Sequence, residues 1–195
     1  MLRGLSVAVA AAALALAAGA AAQSPQFAGP TLKHPSTPLD FALRDQDGRL
    51  VRLASQRGKV TLVTFLYTHC PDFCPLTAQN LNQVLRSLGA ARRNVTVLAL
   101  SVDPGGDTPR AVDAFVRNHR LLPQFHYLTG TSRQLQPIWD AYQVTPVGSG
   151  GPDPDHTLYI LVVDRSGTAR VLFDALARPP AITHDVRLLL AGATS

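Results

Sequence analysis

A chain of 195 residues, 46% hydrophobic and 16% charged, is long enough to bury a proper core in one domain. Its net charge of +5 is thinly spread, with Arg92-Arg93 as the densest cluster. No long basic run suggests nucleic acid or a membrane surface as a partner, and a solvated face is the better reading of these charges.

In chain order, Met1 to Gly4 carries one positive charge and Leu5 to Ala22 is almost unbroken apolar sequence. It ends in Ala20-Ala21-Ala22 before the polar Gln23-Ser24-Pro25. This is the pattern of a secretory signal peptide over residues 1–22. An uncleaved anchor is the rival, because about 18 apolar residues just span a bilayer. No cysteine lies there to be lipidated. Both readings place the rest of the chain outside the cytoplasm, where thiols tend to be oxidised unless kept reduced or bound. Residues 23–38, rich in Pro, Ser, Thr and Gly, read as a linker, and 39–195 as the folded domain.

Within that domain "DFALRDQDGRLVRLAS" predicts two short strands turned at Asp47-Gly48. "KVTLVTFLY", Lys59 to Tyr67, is a continuous β-branched and aromatic run, the mark of a buried central strand. Leu81, Val84, Leu85 and Leu88 then fall at helical spacing, and "NVTVLALSVD" is a second buried strand. Thr108-Pro109 starts a helix with a capping hydroxyl and a proline at its first position; Val112, Phe115, Val116 and His119 line one face of it. Leu135, Ile138, Trp139 and Tyr142 repeat the spacing in a further helix and read as core. "TLYILVVD" predicts a third strand, Asp164 to Gly167 a turn, "ARVLF" a fourth strand, and a last helix begins near Thr183. Strand–helix alternation closed by a hairpin and a helix describes an α/β domain with a mixed sheet flanked by helices.

The central strand runs directly into "YTHCPDFCPL", which holds the only two cysteines, Cys70 and Cys74. A redox-type motif between a core strand and its helix narrows the fold to thioredoxin-like, with the site outside the carboxyl ends of the strands. Residues four apart on a helix share a face, within reach of a disulfide and equally able to converge on a metal. A helix N-terminus favours thiolates, which are both the nucleophiles and the ligands. An inert disulfide would close only a tiny loop and remove little chain entropy. The C-x3-C spacing departs from the C-x2-C of thioredoxin-like oxidoreductases. A peroxidase of the peroxiredoxin kind is expected to carry a threonine three residues before its cysteine, where this chain has Tyr67 and Pro71.

Where such oxidoreductases place a proline before the third core strand, this chain has Asp155-His156. Two thiolates and one imidazole make a soft three-donor set that suits copper in either oxidation state better than zinc, which wants four protein ligands or three and water. His69 reads as a side-pointing neighbour of Cys70, His34 as a mobile donor in the linker and His119 as a satisfied core histidine. His126 and His184 offer no constellation. Asp72 reads as a helix cap, Asp103 and Asp107 as turn and cap residues, and Asp155 as a group able to orient His156.

"YTHCPDFCP" matches the C-P-D-x-C-P signature of the Sco/SenC family. The resemblance continues through "FALRDQDGRLVRL", "LALSVDPGGDTPRAVDAFV", "FHYLTG", "IWDAY" and "DHTLYILVVDRSG", covering roughly Leu39 to Leu190. It implies a periplasmic thioredoxin-like domain, soluble or tethered to the inner membrane through its N-terminus. Such a domain would bind one copper through Cys70, Cys74 and His156 and help build the dinuclear copper centre of cytochrome c oxidase subunit II. A periplasmic copper donor or thiol reductase would serve it. That role is a metallochaperone's rather than an enzyme's. The same cysteine pair also supports a thiol–disulfide oxidoreductase acting on the partner's cysteines, or a redox or copper sensor.

Overall fold

The computed structural model describes residues 26–149 and 158–193. The expected signal segment, 1–22, and the pair Asp155-His156 lie outside them. A hairpin of β1 (Ala42–Arg44) and β2 (Leu50–Arg52) comes first, paired antiparallel with Leu43 opposite Val51. Its turn is built by Asp45, whose Oδ1 accepts the amides of Asp47 and Arg49, and by Gly48 at φ 74°, a left-handed conformation that glycine enters without steric cost.

The main sheet follows from β3 (Val60–Leu66), β4 (Val95–Ser101), β5 (Phe125–Leu128), β6 (Tyr159–Val163) and β7 (Ala169–Asp174). Its order is β5-β4-β3-β6-β7, which puts β3 in the middle. β3 pairs parallel with β4 and antiparallel with β6, so the sheet is mixed, as expected. Every residue of β3 and β4 is buried, which explains why both read as unbroken apolar runs rather than as alternating ones. β5 was not anticipated. Its four residues pair in parallel with β4, Val97 opposite Phe125, and that non-local pairing, not local pattern, makes them a strand.

Among the described residues four α-helices cover the sheet: α1 (Phe73–Ser87), α2 (Pro109–Asn118), α3 (Ser132–Tyr142) and α4 (Pro179–Leu190). β3–α1–β4 and β4–α2–β5 step the same way across the sheet, so right-handed crossovers put α1 and α2 on one face. His119 at the end of α2 accordingly meets Gln79 of α1, and α4 packs on α1. On α3, Tyr142 meets the rings of Phe41 and Phe65, and Trp139 is buried and donates to the Ser101 carbonyl. Both are core residues, as expected.

α4 begins at Pro179 rather than near Thr183, since two prolines preset φ where first-turn amides have no helical partner anyway. The described part of the segment read as a linker lies along β7. Leu32 donates to the Arg170 carbonyl, and Leu172 and Ala169 donate to those of Pro30 and Ser36. At the opposite end of the sheet Asp164 shapes the β6–β7 turn. Its carboxylate accepts from Ser166, the Thr168 amide and Arg170. Burial would raise its pKa, but these bonds and the Arg170 charge outweigh burial and hold it below the usual range.

Candidate metal centre

β3 ends at Leu66 and the chain reaches Cys70 at the carboxyl end of the central strand, where α1 begins. Both sulfur-bearing residues are buried, Cys70 at 6% and Cys74 at 0% exposure, and no disulfide joins them. The Cys74 amide donates to Cys70 Sγ at 3.2 Å. Cys70 Sγ therefore stands in the place usually taken by an N-cap oxygen.

This arrangement corrects the expectation for Asp72. The residue occupies the N-cap position, yet its side chain makes no capping bond. A cap oxygen accepts from the second or third amide of a helix. Here the second, of Cys74, goes to sulfur, and the third residue is Pro75, which has no N–H. Asp72 is left exposed beside the two sulfurs.

Behind the cysteines lies a network whose centre, Asp107, was expected to do turn and capping work. Its Oδ1 accepts the Thr68 amide at 2.7 Å. Its Oδ2 accepts Ser101 Oγ at 2.5 Å and the Tyr127 hydroxyl at 2.9 Å. One carboxylate thus ties together the carboxyl ends of β3, β4 and β5. Burial raises the Asp107 pKa, opposed by the bonds from Ser101, Thr68 and Tyr127. Tyr127 is pushed well above its ordinary value, first by burial, then by the charge and hydrogen bond of Asp107, with a contribution from Cys74. Asp103 plays the turn role expected of it, accepting the Gly106 amide at 2.9 Å. Nothing in the sequence joined Ser101 and Tyr127 to Asp107; only the D-x3-D-T-P spacing marked the aspartate.

The histidines separate as follows. His69 is exposed, with Nδ1 3.2 Å from Thr68 Oγ1. His34 lines an open groove with Tyr142, Tyr159 and Asp174. His126 pairs with Asp45, and His184 with the Gln26 carbonyl. His119 is only half-buried, so it borders the core instead of lying in it. Among the described residues no group of three or more His, Cys, Asp or Glu gathers to hold a metal. The cysteine pair supplies two soft donors, and the third expected donor, His156, is outside the described residues. The flanking chain is placed, however. Val147 bonds to the Val102 carbonyl, and Leu158 leads into β6, where Ile160 sits opposite Thr64. Both ends of that stretch therefore reach the cysteine end of the sheet. Two buried cysteines, one just ahead of α1 and one in its first turn, suit a soft, thiophilic ion.

A mixed five-stranded sheet flanked by helices, with a C-x3-C dithiol where the central strand meets α1, defines a thioredoxin-like domain carrying a dithiol site. The family model described as SCO1/SenC matches residues 30–191, and the chain belongs to that family. The mitochondrial SCO2 homolog of Bos taurus is 32% identical over 161 residues, 78% of this chain and 59% of that protein. An SCO2-like protein of Rickettsia prowazekii is 29% identical over 133 residues, 65% of this chain and 64% of its own length. The chain thus matches less than two thirds of either relative. Among solved structures, copper-bound ScoI of Bradyrhizobium japonicum is similar at a TM-score of 0.66 and 29% identity, covering 80% of this chain and all of that one. Apo Sco1 of Thermus thermophilus gives 0.67 and 29%, covering 85% and 98%. Among the described residues no helix is long and apolar enough to cross a membrane.

Proposed function

We propose that this protein is a periplasmic copper metallochaperone that carries one copper ion on Cys70, Cys74 and His156. It would deliver the ion to the dinuclear centre of cytochrome c oxidase subunit II. The observation that carries this reading is the buried Cys70–Cys74 pair at the start of α1 in a chain of the SCO1/SenC family. Copper is cargo here. The thiolates bind as soft anions, the imidazole binds neutral, and the ion leaves by ligand exchange onto the partner's cysteines. The N-terminal segment would export the chain, or tether it to the inner membrane.

The test is metal analysis of the protein with its cysteines reduced and oxidised. Reduced protein is expected to hold one copper per chain, and oxidised protein or Cys70→Ser to lose tight binding, because a disulfide sulfur is a poor ligand. A full copper load on oxidised protein would sink the dithiolate site. His156→Ala is expected to weaken copper binding by at least about tenfold, since even outer-shell losses cost about 10–100-fold. The dithiol potential should shift by about 30 mV or less. Oxidase assembly that proceeds normally with this variant, without added copper, would favour a thiol–disulfide reductase instead.

A further inference from the structure

We propose that Asp107 is a positioning residue of the cysteine site: it locks the loop ahead of Cys70 and holds a negative charge behind that loop. Its role in metal binding rests on the copper reading above; its geometry does not.

Asp107 is only 4% exposed, and a buried carboxylate is costly unless its oxygens are satisfied. Among the described residues no Lys, Arg or His forms an ion pair with it. Its donors include one amide and two hydroxyls. The amide belongs to Thr68, two residues before Cys70, so the carboxylate fixes the peptide that delivers the first sulfur. The second hydroxyl belongs to Tyr127, which is fully buried. The carboxylate therefore sits directly behind the peptide that leads to Cys70 and into α1.

Such a charge discriminates between oxidation states of a bound copper ion. Two thiolates around Cu(I) carry one net negative charge; around Cu(II) they carry none. A fixed anion behind the sulfurs repels the first assembly and leaves the second nearly unaffected. Asp107 thus biases the site towards Cu(II), and its removal should favour Cu(I).

The experiment compares wild-type full-length protein with Asp107→Asn, which keeps the shape and removes the charge, and with Asp164→Asn, which disrupts a similar carboxylate network at the far end of the sheet. Affinities for Cu(I) and Cu(II) are measured on reduced protein at one pH, with melting temperatures alongside. In Asp107→Asn the ratio of the two affinities is expected to move about tenfold towards Cu(I). Asp164→Asn is expected to lower the melting temperature and leave the ratio alone. An unchanged ratio in Asp107→Asn, or the same shift in both variants, overturns the proposal. Iodoacetamide labelling of the metal-free protein reads the positioning directly. Cys70, at the end of the loop that the carboxylate holds, should be alkylated about tenfold faster in Asp107→Asn and not in Asp164→Asn. If Asp107→Asn does not fold, Asp107→Ser, which also removes the charge, carries the test, and an affinity ratio equal to wild type overturns the proposal. Wild-type protein that binds no copper would sink the functional reading alone, and the labelling rates would still decide the role of Asp107.

Discussion

His119 closes α2 with its ring 4.5 Å from that of Phe115 and its Nδ1 3.2 Å from Gln79. Burial lowers its pKa from the usual 6.5, so the fold favours the neutral ring. As pH falls, the unfolded chain takes up this proton first. The contribution of His119 is therefore fully present above about pH 6.5 and is lost as pH drops through the lower folded value. Denaturant unfolding between pH 8 and pH 5 should show a falling limb that His119→Gln flattens. An identical limb in the variant would remove the histidine from the account. At this scale the sequence is readable only in part. Helical spacing put His119 on the apolar face, but depth is set by packing, and the end of a helix is the place where a residue reaches both core and solvent. The same holds at the site. The Cys70–Cys74 spacing is local and was legible, whereas the Asp107 network joins three strand ends and was not.

Elements read correctly where their signal was local and long. β3 and β4 are unbroken apolar runs, and the positions expected to line α1 and α3 are buried. β5 had no such signal, because "FHYL" is too short to show a period and its partner lies some 28 residues earlier in the chain (Val97 opposite Phe125). The start of α2 was marked by Thr108-Pro109, and there the side chain of Thr108 accepts the Ala111 amide at 3.3 Å. Loss of such a cap costs about 1 kcal/mol. Thr108→Ala is thus expected to lower the melting temperature by roughly 2–4 °C in a domain of this size. Because Thr108 directly follows Asp107, the variant also asks whether fraying α2 loosens the site. Thr68 retains its own bond to Asp107, so copper binding should remain within about twofold of wild type, as expected for a contact that does not touch the ligands. A large copper defect in Thr108→Ala would mean that the helix, and not the carboxylate, holds the loop.

On the scale of the whole molecule the weak point of an open sheet is its edge, and β7 is an edge strand. Exposed edges invite pairing with a second chain. Here the segment before the hairpin covers it, and Asp185 of α4, 0% exposed, holds that segment by accepting the amides of Ala28 and Gly29 at 2.7 and 2.9 Å. Gly29 is needed for the fit, because a Cβ there would lie 2.5 Å from the Phe173 ring. Composition could not reveal this docking: a Pro- and Ser-rich stretch looks the same whether it is loose or bound to a partner far along the chain. Asp185→Asn turns an NH2 group towards one of the two amides and leaves a buried donor without an acceptor, at a cost of about 1–3 kcal/mol. The cover should then open locally before the sheet does. Hydrogen exchange should show the Leu172 and Ala169 amides, which bond to the cover, losing protection while those of β3 and β4 keep theirs. Sedimentation should show association that grows with protein concentration as the β7 edge becomes available. Gly29→Val should reproduce both effects by displacing the cover sterically. If Leu172 and Ala169 exchange no faster in either variant, Asp185 does not hold the cover in place.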